Sequence, residues 1–254
     1  MEVARAIGVD IGGSGIKAAV VDVRTGVLVG ERVRVPTPQP STPDAVLAAA
    51  AALVEQLGAG LPVGVGVPGV VLGGVVMSAA NIDAEWIGFD VRDALAGRFG
   101  VCSVLNDADA AGLAEMRFGA AAGHPGVVLM LTLGTGIGSA LFAGGLLVPN
   151  TEFGHIEIRG KDGERRASAG ARERRGLSYK RWAPLLEEYL RRIDALVWPD
   201  LIILGGGVSK RADRFLGLID VRPPVMPAAL LNGAGIVGAA VRAAEQDDGS
   251  PGVT

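Results

Sequence analysis

Cysteine, histidine and aromatic residues are scarce in this sequence. Among 254 residues there are one cysteine, Cys102, and two histidines, and phenylalanine, tryptophan and tyrosine together make up 4%. A single cysteine excludes an internal disulfide framework and any metal site built from several cysteines. Glycine is abundant instead, with 39 residues, which suits tight turns and close packing between secondary-structure elements.

A strong net charge is also missing. The formal net charge is −3, which argues against general binding to nucleic acid or membrane surfaces. Two stretches without charge, 57–80 and 127–150, hold several glycines and at least one proline each. We expect strand–turn–strand segments there rather than membrane spans. Glu2 and Arg5 interrupt the apolar N-terminal residues, so we expect no signal peptide and a cytoplasmic protein.

The order of the predicted elements indicates a mixed α/β protein. Apolar runs with short glycine turns predict antiparallel hairpins over residues 3–35, and strands that alternate with helices follow. The pattern occurs twice, because IGVDIGGSGIKAAV, with Asp10, matches LMLTLGTGIGSALF, with Thr132. This self-similarity predicts two related lobes. Residues 157–182 are charged and predicted to be irregular, and a helix is predicted over 184–196.

Three glycine-rich turns are candidate phosphate sites. Glycine lets several backbone N–H groups converge, and converging N–H groups bind anions. The alternative is that these are ordinary hairpin turns; their repetition favours phosphate. Neither a P-loop nor the dinucleotide-binding fingerprint is present, since Lys17 and Ser139 are spaced wrongly for them. The candidate residues are Gly12, Gly13, Ser14 and Gly15 in the first turn, Gly134, Thr135, Gly136 and Gly138 in the second, and Gly205, Gly206 and Gly207 in the third.

Asp10 ends the first predicted strand, beside the first glycine turn. A carboxylate there would repel phosphate unless a cation lay between them, and Mg²⁺ prefers carboxylate, water and phosphate oxygens. We therefore predict that Asp10 is a direct or water-mediated magnesium ligand; the alternative is a residue that caps the turn. Lys17 either adds positive charge to the phosphate site or lies on a solvated strand face.

A polar cluster, Asn106-Asp107-Ala108-Asp109, follows a predicted strand and opens a helix. An amide beside a carboxylate is suited to holding a hydroxyl group and taking its proton, which is general-base catalysis. We favour Asp107 as the base, with helix capping as the alternative role. Asp109 is assigned to capping or to the surface.

A second polar cluster, Thr151-Glu152-Phe153-Gly154-His155-Ile156-Glu157, offers side chains for one small polar ligand. Glu152 and His155 are close enough in sequence to bracket it. A histidine with two glutamates also suggests zinc, but no cysteine or second histidine is nearby, so we favour hydroxyl recognition.

A set of motifs then occurs in a fixed order: DIGGSGIK, GVPGVV, NDADAAGLAE, LTLGTGIGSALF, TEFGH, LIILGGGVSK and NGAGIVGAA. Together they resemble the ROK sugar kinases of the actin and hexokinase superfamily, and in particular the short branch that uses inorganic polyphosphate. The resemblance covers nearly the whole chain. It implies an α/β, two-lobed actin-like/hexokinase (ribonuclease H-like) fold with a duplicated mixed sheet and an interlobe cleft. The implied lobes are 1–106 plus 232–254, and 107–231.

The resemblance also implies roles for individual residues. Asp107 would take the proton from the 6-hydroxyl of glucose. The sugar would be bound by Asn106, Glu152 and His155, with Gly69 and Asn81 closing its pocket. Asp10, the first two glycine turns and Mg²⁺ would hold the phosphoryl donor, which is polyphosphate, with ATP as the alternative donor. Gly205–Gly207 would hold a nucleotide or further phosphate. A homodimer is what such kinases suggest.

One departure from the family pattern is informative. Most ROK kinases have a cysteine-rich zinc loop after the Gly-His motif, and here it is absent, so we expect no structural zinc. The absence puts in doubt a sugar-binding glutamate that the family has just beyond that loop, and Glu157 is the candidate substitute. The segment 159–181 is strongly basic instead, which suits a long polyanion or, alternatively, a solvated loop. Its basic residues are Arg159, Lys161, Arg165, Arg166, Arg172, Arg174, Arg175, Lys180 and Arg181.

The resulting hypothesis is a polyphosphate-dependent glucokinase. The near alternative is an ATP-dependent sugar kinase of the same family that acts on glucose, mannose or a related hexose. A sugar-sensing repressor would carry an N-terminal helix-turn-helix domain, and a filament-forming relative of actin would not need the two polar clusters. Neither is favoured.

Overall fold

The computed structural model describes residues 4–58, 60–79, 82–99 and 102–247. The first half of the chain forms seven strands and three helices within the described residues. The strands are β1 (Arg5–Gly12), β2 (Gly15–Asp22), β3 (Val27–Val35), β4 (Val63–Val67), β5 (Val71–Leu72), β6 (Val75–Val76) and β7 (Cys102–Asn106). The helices are α1 (Pro43–Leu57), α2 (Val91–Phe99) and α3 (Asp107–Phe118).

The second half repeats the succession of hairpin, helices and parallel strand. Its strands are β8 (Val127–Leu133), β9 (Ile137–Ala143), β10 (Leu146–Val148), β11 (Glu157–Ile158), β12 (Lys161–Asp162), β13 (Leu201–Gly205) and β14 (Val225–Pro227). Its helices are α4 (Glu164–Ala167), α5 (Ala169–Arg174), α6 (Tyr179–Val197) and α7 (Ala234–Asp247). Short 3₁₀ helices lie at Ala84–Trp86, Phe153–His155, Gly207–Arg214, Leu216–Leu218 and Leu231–Gly233.

Two five-stranded mixed sheets share one topology. The first has the order β3-β2-β1-β4-β7 and the second β10-β9-β8-β13-β14. In each, an antiparallel three-strand meander is followed by two strands parallel to its first strand. The predicted repeat of Asp10 against Thr132 therefore corresponds to equivalent strands, β1 and β8, at the centre of each sheet.

The chain divides into two compact units. Unit 1 comprises residues 1–114 and 233–254, and unit 2 comprises 115–232. The division falls inside α3, whereas the sequence-based boundary lies at the start of that helix. The C-terminal helix α7 belongs with the N-terminal sheet, which explains why unit 1 is discontinuous in sequence.

Unit 1 is built around its sheet, with α1 and α7 packed against it. The core consists of aliphatic residues of the sheet, α1 and α2, together with the fully buried Trp86. Helix α7 packs very closely on β1 and β4: a side chain at Gly64 would place its Cβ 1.8 Å from the carbonyl oxygen of Ala239. Only glycine allows this approach, so the glycine-rich strand sequence VGVGV reflects helix packing.

Unit 2 buries three aromatic residues, Trp182, Tyr189 and Phe215, in one core cluster. Helix α6 is amphipathic and contributes Trp182, Leu186, Tyr189 and Leu190 to the core. The Trp182 ring contacts Phe215 edge-on, with centroids 5.0 Å apart. This packing connects the start of α6 to the segment that follows β13.

Several local predictions change in the structure. Residues 157–182 are not irregular, because they form β11, β12, α4, α5 and the start of α6. Helix α6 begins five residues before Pro184, at Tyr179, where the Ser178 hydroxyl caps it by accepting from the Arg181 N–H. The predicted strand–turn–strand segments are confirmed as β4–β6 and β8–β10. No helix in the described ranges is long and apolar enough to cross a membrane.

Candidate functional site

The first glycine turn is a two-residue hairpin. Gly12 pairs with Gly15 across the β1–β2 ladder, which leaves Gly13 and Ser14 exposed at its tip. Asp10 and Lys17 face each other two ladder positions away, and the Lys17 ammonium donates to Asp10 Oδ2 at 2.8 Å. The hairpin therefore presents exposed backbone N–H groups beside an ion pair that can rearrange around an anion and a cation.

Arg34 is a further cation at this hairpin that the sequence analysis did not select. It pairs with Lys17 across the β2–β3 ladder and is exposed. Its side chain folds over the turn: a Cβ at Gly15 would lie 2.9 Å from Arg34 Nε. The register between β2 and β3, which no local motif reveals, is what brings Arg34 to the glycine turn.

Three neighbouring parallel strands of unit 1 end beside one another at their carboxyl ends. Register pairs join Asp10 of β1 to Gly66 of β4, and Val67 of β4 to Asn106 of β7. Asp10, Gly69 and Asp107 therefore follow or end adjacent strands on one edge of the sheet. Ligands of open α/β sheets bind at this edge.

Asn106 links the two predicted sugar-binding elements of unit 1. Its amide oxygen caps α3 by accepting from the Ala108 and Asp109 N–H groups at 2.8 and 3.1 Å. Its amide nitrogen donates to the Gly69 carbonyl at 3.0 Å. The Asn106 side chain is thus the N-cap of α3, and it fixes both the helix start that carries Asp107 and the loop that carries Gly69.

Asp107 is half-buried in the first turn of α3, where the helix dipole favours a carboxylate. Asp109, by contrast, is only 2% exposed, so its assignment to the surface was wrong. The N-cap of α3 is Asn106, not Asp109. Asn81, the other predicted residue of the sugar pocket in this unit, lies outside the described residues.

The second glycine turn is longer by one residue and is braced from below. Leu133 pairs with Ile137, so Gly134, Thr135 and Gly136 form the turn. The Gly170 N–H donates to the Gly134 carbonyl at 2.9 Å, and the Ser168 hydroxyl to the Thr135 carbonyl at 3.1 Å. Two carbonyl groups of the turn are thereby occupied by Gly170 of α5 and by its N-cap, Ser168. The Gly134 N–H donates to the Gly136 carbonyl at 3.1 Å, so the N–H groups of Thr135 and Gly136 are the candidates for binding an anion.

The third glycine run follows β13, which is parallel to and paired with β8. Gly205, the last residue of β13, is the ladder partner of Thr132, which is the last residue but one of β8. Gly206 and Gly207 then lead into the 3₁₀ helix 207–214, whose Ser209 donates back to the Gly206 carbonyl at 2.8 Å. The second and third glycine turns are therefore neighbours at one edge of the sheet of unit 2.

Glu152 and His155 do face one another, and a second acidic residue, Asp162, lies on the other side of the imidazole. His155 Nε2 lies 3.7 Å from Glu152 Oε2, and its Nδ1 lies 3.6 Å from Asp162 Oδ2. Burial raises the pKa of the Glu152 carboxyl above its ordinary value of 4.5; His155 acts against this shift, and the negative charge of Glu164 adds to it. Glu164 therefore lies in the same cluster.

Glu164, rather than Glu157, completes this cluster. Its Oε2 accepts from the Ile137 N–H at 3.0 Å, directly beneath the second glycine turn. A Cβ at Gly154, in the middle of the polar cluster, would lie 3.4 Å from the same oxygen. Glu157 is exposed on β11, and no described contact brings it to His155. Its place in the sequence could have indicated this role, because Glu164 lies just beyond the segment where the zinc loop is missing.

Three side chains at the His155 cluster are also of the types that bind metal ions. Ligand atoms of His155, Asp162 and Glu164 lie within 4.8 Å of one another. Asp162 is shared with Arg165, whose Nε is 3.6 Å away, so part of its charge is already balanced. Exposed acidic groups are commonly close together without a metal, and this geometry carries no metal assignment.

Comparison with known proteins decides the family. The model of the ROK family matches residues 6–173 of this chain. The chain belongs to the ROK family. Its fold is accordingly that of the ROK sugar kinases, with mixed sheets of the actin and hexokinase type.

Individual ROK relatives extend this result to nearly the full length. The chain is 51% identical over 236 residues to the polyphosphate glucokinase of Mycobacterium tuberculosis, covering 92% of this chain and 89% of that protein. The crystal structure of an inorganic polyphosphate/ATP-glucomannokinase from an Arthrobacter strain superposes with a TM-score of 0.92 at 53% identity, covering 96% and 99% of the two chains. A ROK glucokinase from Streptomyces griseus, solved with glucose and AMPPNP, gives a TM-score of 0.81 at 28% identity, covering 94% and 99%.

Proposed function

We propose that this protein is a polyphosphate-dependent glucokinase, which transfers a phosphoryl group to the 6-hydroxyl of glucose. The observation that carries the proposal is the similarity, over nearly all of both chains, to proteins named for this reaction. The residues of the site agree with it, since they include a half-buried carboxylate, a cluster of hydroxyl-binding groups and glycine turns suited to phosphate.

Asp107 is the proposed general base. The Asn106 cap fixes the backbone at the start of α3, which carries Asp107 in its first turn. Proton removal from the 6-hydroxyl makes that oxygen the nucleophile, the oxygen–phosphorus bond forms, and the bond to the next phosphate of the donor breaks. General-base assistance contributes about 10²- to 10⁴-fold in rate.

The proposed sugar ligands in unit 2 are Glu152, His155 and Glu164. Carboxylates accept hydrogen bonds from sugar hydroxyls, and neutral imidazole can accept or donate. Glu164 replaces Glu157 in this proposal because it lies within the cluster and Glu157 does not. In unit 1, Asn106 and Gly69 position the loop and the base, and Asn81 is retained from the family pattern.

The proposed donor site consists of the glycine turns with Asp10, Lys17 and Mg²⁺. The residues fit magnesium: the Lys17 pair occupies Oδ2 of Asp10, which leaves Oδ1 for a cation, and Mg²⁺ commonly uses one carboxylate together with substrate phosphates. When bound, the ion would neutralise charge on the donor. Positioning and charge neutralisation are the main requirements of phosphoryl transfer. The chain supplies them through backbone N–H groups and Lys17.

The experiment is to measure glucose 6-phosphate formation, with Mg²⁺, from polyphosphate and from ATP in parallel. We expect product from polyphosphate, and product from ATP as well if the donor range matches that in the name of the Arthrobacter relative. Mannose is the second sugar to test. Activity with ATP alone would keep the kinase and remove the polyphosphate assignment. No activity with either donor on glucose or mannose would overturn the proposal.

A further inference from the structure

The cations of the basic segment 159–181 fall into two groups: some form ion pairs with carboxylates, and the others do not. Carboxylates neutralise four of its cations: Arg159 and Arg166 bind Glu188 at 2.6 and 3.0 Å, Arg165 is 3.6 Å from Asp162, and Arg172 is 3.3 Å from Glu173. Five others are exposed, and no ion pair is found for them among the described residues. Lys161 lies apart from the rest, on β12, and the remaining four are close together in sequence. These are Arg174, Arg175, Lys180 and Arg181, here called the free cations.

The free cations begin at the second glycine turn. Helix α5 packs so closely on this turn that a Cβ at Gly170 would lie 2.7 Å from the Thr135 carbonyl oxygen. The same Cβ would lie 3.0 Å from Nη1 of Arg174, so this guanidinium is folded back toward the turn. Arg174 therefore lies beside the second glycine turn, where α5 packs on it, and is the free cation that begins there.

Lys180 and Arg181 occupy a position that helix electrostatics disfavours. Both are in the first turn of the 19-residue helix α6, which contains no acidic residue in that turn. The helix dipole makes this end positive, so cations there are repelled and anions attracted. Two cations at the N-terminal end of a long helix together form a strongly positive site, for which no ion pair is found among the described residues.

Further cations lie near the start of α6, on the 3₁₀ helix that follows the third glycine run. Two guanidinium groups contact the Tyr179 ring, with Arg172 at 4.5 Å and Arg214 at 5.9 Å from its centroid. Tyr179 also stacks on Phe215, which holds the start of α6 against the end of the 3₁₀ helix 207–214. That helix also carries three exposed cations, Lys210, Arg211 and Arg214, and a single exposed acid, Asp213, so its net charge is positive.

We infer that the free cations bind the part of a polyphosphate chain beyond the phosphates at the glycine turns. The inference rests on the proposed function. A continuous positive surface that starts at a phosphate-binding turn suits a linear polyanion that extends from it. Arg174 contacts the reactive end, and Arg175, Lys180 and Arg181 contact phosphates further along, which ATP and tripolyphosphate are too short to reach. Binding to such a surface is weakened by salt.

The test compares long-chain polyphosphate, tripolyphosphate and ATP as donors. In the triple variant Arg175→Gln/Lys180→Gln/Arg181→Gln, we expect the KM for long-chain polyphosphate to rise about ten-fold, from exposed contacts worth about two- to five-fold each. Its dependence on salt becomes shallower, while the KM values for tripolyphosphate and ATP stay within about two-fold. Arg174→Gln, in contrast, raises the KM of all three donors. The control Arg159→Gln/Arg191→Gln removes two exposed but paired cations of unit 2 and leaves the KM for long-chain polyphosphate unchanged.

Two results would overturn the inference: an unchanged KM for long-chain polyphosphate in the triple variant, or an equal rise for all three donors. If the unmodified protein makes no glucose 6-phosphate from polyphosphate, the proposed function fails separately. Direct binding of long-chain polyphosphate, measured without glucose for the unmodified protein and the triple variant, then still decides the inference. Equal binding by both proteins would contradict it.

Discussion

The two glycine hairpins occupy equivalent places in two sheets of one topology, yet their surroundings differ. At the first, Asp10 and Lys17 face each other beside a two-residue turn, and Arg34 lies over it. At the second, Thr132 and Gly138 occupy the facing positions beside a three-residue turn. No charged residue stands in that ladder position, and the turn is held from below by Ser168, Gly170 and Glu164.

This difference separates two tasks that phosphoryl transfer needs. The first hairpin carries ionisable groups, which can bind a metal ion and balance charge. The second carries backbone N–H groups on a turn braced by hydrogen bonds, which can position an anion, and it shares Glu164 with the proposed sugar-binding cluster. The extra residue in the second turn shifts its ladder, so Ser139, which aligns with Lys17, pairs with Leu131 and donates to Thr151.

The largest effect at the hairpins is expected from Asp10→Asn. The substitution removes the carboxylate charge from the first hairpin, so that this ladder position is uncharged, as it is at Thr132 in the second hairpin. We expect the Mg²⁺ concentration for half-maximal rate to rise by about 10- to 100-fold. The control Asp22→Asn, at the other end of the same hairpin, should leave it unchanged. An unaltered magnesium titration for Asp10→Asn would remove Asp10 from the metal site.

Glu164→Gln tests the second hairpin and its link to the sugar. The amide oxygen can still accept from the Ile137 N–H, so the turn keeps its support, while a charged hydrogen bond to a sugar hydroxyl is lost. A charged hydrogen bond is worth about 1.5–3 kcal/mol, so the KM for glucose should rise by about 10- to 100-fold. Glu157→Gln is the matched control. A rise with Glu157→Gln and none with Glu164→Gln would restore the sequence-based assignment.

A smaller effect is expected from Arg34→Gln. Exposed ion pairs contribute about 0.2–1 kcal/mol, so the KM for the phosphoryl donor should rise by about two- to five-fold, with the KM for glucose constant. Arg24→Gln removes an exposed arginine at the far turn, where it pairs with Asp22 at 3.6 Å, and should change neither. If the two variants behave alike, Arg34 does not contact the donor.

The smallest change concerns stability at Glu152. Because burial raises the pKa of this carboxyl in the folded state, the native protein holds the proton more tightly than the unfolded chain. Stability therefore falls as pH rises from 4.5 through the raised pKa. Glu152→Gln lacks this penalty, so its melting temperature should exceed that of the unmodified protein at pH 7, and the difference should disappear below pH 4.5. A difference that does not vary with pH would contradict the explanation.

Much of this arrangement could be predicted from the sequence because it depends on local patterns. Glycine turns between apolar runs predicted the hairpins, and the repeat of Asp10 against Thr132 predicted the shared topology. The segment 157–182 was missed because α4 and α5 have only four and six residues, too short for a helical period to show. Glu164 and Arg34 were missed for a related reason: packing and strand register, including an irregularity between Ala18 and Val20, bring them to the site.

The most direct test of the account is the Asp107→Asn variant, because the proposed chemistry depends on this one carboxylate. Turnover with saturating glucose is measured with polyphosphate and with ATP, and glucose binding is measured by calorimetry. We predict that kcat falls by about 10²- to 10⁴-fold with every donor the protein uses, while the Kd for glucose changes little. A variant that keeps more than about half of its turnover would contradict the role of Asp107 as general base, since assistance of the expected size could not then come from this residue.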